Sequence, residues 1–237
     1  MPKSPEEIVK NLVASFRAGK GVFKERINVE DWVPTWPNRE EKAKFLFLVT
    51  VLDYGMKSVV LYKGANNLFR ERRELLQPKN LIRVEEKVLS GILQKFLHVR
   101  FPNEAAKRWT ENSRQLLTTY NGDVLSLFNE PSALKVLTNI HGFRGFGEKT
   151  GNLFFRSVVN TFGINYVDID EVPMPIDRHK LRLTYEWGFI NAQQYQEGDR
   201  EKVSRIWKMA CQRVGISWLE FDRAFWIWGV HTRESLP

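Results

Sequence analysis

The sequence predicts an all-α protein. Apolar residues recur at helical spacing through most of the chain, and helix start and stop signals bracket those stretches. The one strand-like run, Ile164 to Ile169, has no second run to pair with. Ser4-Pro5-Glu6-Glu7 supplies an N-cap, a proline at the first helical position and a capping-box glutamate. Ile8, Leu12, Val13 and Phe16 then form one apolar face, and Gly19 and Gly21 end the helix. Asp31 to Pro37 is irregular, and Asn38 with Glu41 starts a second helix. Phe45 to Leu52 fits a buried helix or a strand; helix is favoured because no turn signal comes before Gly55.

Further helices are expected over Val59–Glu74, over Leu81–Val99 as one or two pieces, and over Ala105–Tyr120, with Asn121-Gly122-Asp123 as a turn. Pro131 opens a short helix through Ile140, and another runs from about Lys149 to Phe162. Asp177 caps a helix ending at Trp187-Gly188, Asn191 starts a longer helical region closed by Gly215, and Trp218 to Trp228 is the last helix. The sum is about ten helices.

Composition bounds the function. The 237 residues are enough for one domain or two modest lobes with a real core. A net charge of +8 favours a polyanionic partner. Cys211 is the only cysteine, so an internal disulfide and a cysteine-ligated metal cluster are both excluded, and a reducing compartment is expected. The N-terminus is too acidic and too broken for a signal peptide, and no apolar run approaches a membrane span. The scattered histidines, His141 and His179 among them, suggest no metal site.

The most informative stretch is His141-Gly-Phe-Arg-Gly-Phe-Gly-Glu-Lys-Thr150, with Asp177 downstream in Val172-Pro-Met-Pro-Ile-Asp-Arg-His179. Glycines at 142, 145 and 147 let backbone N–H groups approach a phosphate, and a helix start adds a favourable dipole. Lys149 and Thr150 in the first helical turn add donors. A lysine that loses its proton becomes an amine nucleophile, and a helix N-terminus disfavours the ammonium. A carboxylate held after stiff prolines, as Asp177 is after Pro173 and Pro175, suits charge stabilisation at a sugar carbon. The plainer readings are a tight helix–helix turn and a simple N-cap.

Leu137 to Phe155 resembles the helix–hairpin–helix of base-excision DNA glycosylases, and Ile176-Asp-Arg-His179 is similar to that superfamily's Val-Asp-Thr-His stretch. The nearest subgroup by resemblance is the archaeal GO glycosylase. The likeness lies in Val172–Asp177, Arg182-Leu-Thr184, Ile206-Trp207 and the Asp222…Trp226 spacing. The resemblance implies two helical lobes around a DNA-binding cleft. One lobe would span 45–158, and the other would join 1–44 with 159–237. It implies Lys149 as nucleophile, Asp177 as its assistant, and phosphate contacts at Gly142, Gly145, Gly147 and Thr150. It implies a base pocket from Asp222 and Trp226, which share a helical face with Trp218; Trp218 itself reads as core. The subgroup's pocket phenylalanine falls at Leu153 here, with Phe154 beside it, which leaves the excised base open. Asp53 to Ser58 holds the place of a wedge loop, usually with glutamine; here Tyr54 or Met56 takes that role, or Gly55 merely breaks a helix.

The expected activity is removal of 8-oxoguanine with AP lyase cleavage. The alternatives are an oxidised-pyrimidine glycosylase of the endonuclease III type and a non-catalytic DNA-binding module. The expected partner is damaged double-stranded DNA, bound by a monomer in the cytoplasm, at the nucleoid. No cofactor is expected beyond a monovalent cation at the hairpin.

Overall fold

A computed structural model describes residues 4–24, 28 and 30–232. Among them are twelve α-helices and no strands. In chain order these are α1 (Pro5–Arg17), α2 (Arg39–Thr50), α3 (Ser58–Glu71), α4 (Pro78–Leu81), α5 (Glu86–Leu97) and α6 (Pro102–Tyr120). They continue with α7 (Ala133–His141), α8 (Glu148–Phe162), α9 (Arg178–Glu186), α10 (Ala192–Glu197), α11 (Arg200–Arg213) and α12 (Trp218–His231). None of the helices is long and apolar enough to cross a membrane.

The chain forms two compact units, one of residues 1–28 with 170–237 and one of residues 29–169. The expected boundaries at 45 and 158 therefore move outwards. The first turns of α2 and the last turn of α8 pack with the helices they belong to, in the second unit.

Local signals place most helix ends. Ser4 and Glu7 form the capping box of α1, and Asn38 and Glu41 form that of α2. Phe45 to Thr50 is helix, as favoured: every residue from Ala43 to Asp53 is buried, so the C-terminal half of α2 is buried on all sides and shows no stripe. The Val59–Glu74 expectation divides into α3 and a 3-10 turn at Arg73–Leu76. The region opened by Asn191 also divides, because Gly198 turns left-handed at φ +70 between α10 and α11. Ile164 to Asp168 is irregular rather than a strand. The Tyr166 hydroxyl donates to the Phe128 carbonyl at 2.6 Å, and the Asp168 carboxylate accepts from Ser132 Oγ and the Ala133 amide.

Within the 29–169 unit, α2 packs on α3 and α8, and α5 lies between α3 and α6. Gly64 lets α3 sit directly on α5: a methyl group there would lie 2.2 Å from the Phe96 carbonyl oxygen. Backbone cannot swing aside as a side chain can. Gly64→Ala is therefore expected to cost about 3 kcal/mol, read by urea denaturation. A loss under about 0.5 kcal/mol would mean that the two helices part freely.

Candidate active site

Hairpin residues 142–147 join α7 to α8. Gly145 takes φ +85, which only glycine adopts without strain. Phe143 and Phe146 are buried and hold the hairpin on the core through Phe47, at ring distances of 5.1 and 5.3 Å. Asn112 clamps it from α6, accepting from the Arg144 amide at 2.9 Å and donating to the Arg144 carbonyl at 3.0 Å. Sequence reasoning missed Asn112. Its signal was a lone amide on the apolar stripe of Ala105, Trp109 and Leu116.

Gly147 caps α8 without a side-chain bond, which leaves the first-turn amides for a ligand. Gly142 has an ordinary φ of −69, so the turn itself does not demand glycine there. Thr150 differs from the expected phosphate contact. Its hydroxyl is buried and donates to the Gly145 carbonyl at 2.7 Å, bracing the hairpin. Arg144 is engaged by Glu104 and Glu111, and it holds the Glu104 carboxyl below the usual range.

Lys149 stands at the second position of α8, with its side chain one-third exposed. Its Nζ donates to the backbone carbonyl of Asp53 at 2.8 Å and lies 3.7 Å from Asp53 Oδ1. Asp53 is 2% exposed, and both of its carboxylate oxygens take the Ser58 hydroxyl at 3.0 Å. The loop after α2 thus carries a carboxylate to the lysine, and sequence reasoning missed it. On the same loop Tyr54 is 65% exposed, while Met56 is half-buried beside a small cavity of about 30 Å³ lined by Leu52 and Phe101.

Phe154 departs from the pocket expectation. It is fully buried among Phe47, Phe128 and Phe146, so its ring belongs to the core. Leu153 keeps 8% exposure. Of the basic residues on α3 and just after it, Lys63, Arg72 and Arg73 are engaged with the Trp32 ring, Glu74 and Glu41 respectively.

In the other unit Asp177 caps α9, accepting from the His179 and Lys180 amides at 2.9 Å through Oδ1. The segment leading to it is extended, and side chains hold it in place of a strand partner. Lys208 donates to the Val172 carbonyl, Ser204 accepts from the Met174 amide, and Lys180 Nζ donates to the Pro175 carbonyl at 2.7 Å. Lys180 also pairs with Asp222, and both side chains are buried. Asp222 is therefore not the open acceptor that the i, i+4 pattern suggested; it belongs to the support under Asp177. Trp226 is half-buried and Trp218 is core, as expected of the latter. Gly229 lets α12 approach α9, since a methyl would lie 3.0 Å from His179 Cβ. Burial holds the His179 imidazole below its ordinary value. Burial, then the Asp222 and Asp170 charges, pushes the Cys211 thiol up to about 12, so it stays protonated and unreactive near neutrality. Among the described residues no cluster of His, Cys, Asp and Glu is placed to hold a metal ion.

The sequence matches no protein-family model and no curated protein. Solved structures do match. A trapped endonuclease III–DNA covalent intermediate superposes with TM-score 0.62 at 16% identity, covering 96% of this chain and 85% of that one. The Methanocaldococcus jannaschii 8-oxoguanine DNA glycosylase gives TM-score 0.61 at 17% identity, covering 97% and 95%. The Pyrobaculum aerophilum 8-oxoguanine DNA glycosylase gives 0.55 at 18% identity, covering 94% and 88%. The chain has the all-α fold of the helix–hairpin–helix DNA glycosylases.

Proposed function

We propose that the chain is a base-excision DNA glycosylase with AP lyase activity, using Lys149 as nucleophile. The observation that carries this reading is the lysine itself. It follows a glycine hairpin at the start of α8, partly exposed, with its amine held by the Asp53 carbonyl. The shared fold and the +8 charge support a DNA substrate. The first-turn amides of α8 would hold phosphate. An enzyme acting on a base in duplex DNA must flip it out, and exposed Tyr54 suits the gap left behind.

In the proposed reaction the Lys149 lone pair attacks C1′, and the base leaves with the electrons of the glycosidic bond. Positive charge builds on the sugar, and Asp177, fixed by two backbone amides, offsets it. The sugar ring opens to a Schiff base between Lys149 and C1′. Loss of a C2′ proton then expels the 3′-phosphate by β-elimination. The reading needs no cofactor beyond a monovalent cation at the hairpin, and it has a monomer acting on damaged duplex DNA in the cytoplasm.

For the lesion, 8-oxoguanine is favoured by the two 8-oxoguanine glycosylases described above and by the Val172–Asp177 resemblance. The equally good superposition on endonuclease III favours an oxidised pyrimidine as the second reading. Borohydride trapping on duplexes carrying 8-oxoguanine, thymine glycol, uracil or an abasic site tests both. A Lys149-dependent adduct strongest with 8-oxoguanine is expected. Strongest trapping on thymine glycol would transfer the chain to the second reading. Tight binding with no adduct on any duplex would remove the lyase and leave a DNA-binding module.

A further inference from the structure

We propose that Asp53 is a catalytic residue that takes the proton from the Lys149 ammonium and returns it during imine formation; this rests on Lys149 being the nucleophile. The geometry is local to the 29–169 unit. The Asp53 carbonyl fixes Nζ at 2.8 Å, which leaves the ammonium's other protons for substrate and carboxylate. Oδ1 stands 3.7 Å away, within ion-pair range of the ammonium. Catalytic contacts are commonly this long before substrate binds. Ser58 donates to the carboxylate from the far end of the loop, so the acceptor is aimed by α3 while the nucleophile is carried by α8.

The remaining groups around the pair do not compete for the proton. Tyr62, on α3, is held well above its ordinary value by burial first and by the Asp53 charge second, so it stays a neutral phenol hydrogen-bonded with Thr50. Arg108, on α6, donates to the Val51 carbonyl and to Glu104. Asp53 thus combines burial, a serine donor and a lysine beside it, the setting of a proton acceptor.

On an abasic site the electrophile is the C1′ aldehyde of the ring-opened sugar. Asp53 Oδ1 takes one ammonium proton, giving a neutral amine and a carboxylic acid. The amine attacks the C1′ aldehyde, the carbonyl oxygen receives the Asp53 proton and a second one from nitrogen, and water leaves. The products are a protonated imine and the Asp53 carboxylate.

The test is single-turnover borohydride trapping on a duplex with one abasic site, followed across the neutral pH range. Because Asp53 takes the proton and hands it to the carbonyl oxygen, the wild-type rate should depend on pH less steeply than that of a variant without the carboxylate. In Asp53→Asn the reactive amine must form by losing its proton to solvent. Its rate should fall about a hundredfold at neutral pH and climb as pH rises. Asparagine keeps the backbone carbonyl and a Ser58 partner, so Lys149 stays in place. Ser58→Ala, which leaves the carboxylate unaimed, should lose part of the rate and regain part of the slope; it decides the matter if Asp53→Asn does not fold. Wild-type rate and profile in the folded Asp53→Asn variant, or in Ser58→Ala should the asparagine variant not fold, would overturn the role of Asp53. Absence of a Lys149-dependent adduct in the wild type would instead overturn the nucleophile on which it rests.

Discussion

Lys149→Gln is expected to abolish strand cleavage and the borohydride adduct while damaged-duplex binding stays largely intact. Glutamine is close in length and keeps an N–H to donate to the Asp53 carbonyl, so the hairpin and the loop after α2 should hold their places. What it lacks is an amine lone pair that can form a carbon–nitrogen bond. The loss of turnover should reach at least about a thousandfold, as when a nucleophile is removed from a unit of cooperating groups. The hairpin's backbone amides, which the change does not touch, should keep most of the affinity. Gel-shift and nicking assays on the same lesion duplex measure the two quantities separately. Full cleavage by the variant would end the nucleophile assignment. A parallel fall in binding and cleavage would make Lys149 a phosphate contact only.

The second large effect is expected at Lys180. Its ammonium lies between the Asp222 carboxylate and the Pro175 carbonyl, 2% exposed at the side chain. Removing Lys180 takes this counter-charge from the buried Asp222 carboxylate, and Lys180→Ala should cost about 3–5 kcal/mol. Pairing it with Asp222→Leu should recover much of that loss, because an apolar pair of similar volume removes both charges. Recovery should stop short by about 1–3 kcal/mol, since the Pro175 carbonyl still lacks its donor. Urea denaturation of the two single variants and the double variant reads these values. A Lys180→Ala cost within about 0.5 kcal/mol would show that the pair contributes little to holding the segment before Asp177.

Asp222 lies deeper in the fold than its spacing with Trp226 suggests, because its lysine partner is distant in the chain. Asp222 and Trp226 do share a helical face, as their spacing requires, and the resemblance gave that face a base to recognise. The partner that satisfies Asp222 lies 42 positions earlier in the chain, on α9. Nothing in the local pattern marks Lys180 as buried, since lysine is almost always exposed unless paired. Phe154 was misplaced for a related reason. α8 buries every residue from Thr150 to Val159, so neighbouring positions face core on all sides and periodicity cannot separate a pocket wall from packing.

The sequence by itself determined those features whose physics is local. Caps at Ser4, Asn38 and Asp177 satisfy amides within three residues, so the start of each helix is written beside it. The glycine hairpin and the lysine at the start of α8 are likewise a matter of backbone freedom and chain order, and the turn at Gly145 needs no distant partner. Tertiary structure decided whatever depends on a contact closed through space. It denied Ile164–Ile169 a strand, fixing Tyr166 to the Phe128 carbonyl and Asp168 to Ser132 instead, whereas the break at Gly198 and the Thr150 bond to Gly145 are local. It also brought Asp53 to Lys149 across 96 positions of chain. A side chain's neighbours at that range are set by how whole helices pack, and the energy that holds them there comes from a core such as α2, whose residues carry no periodic sign of which face meets which partner.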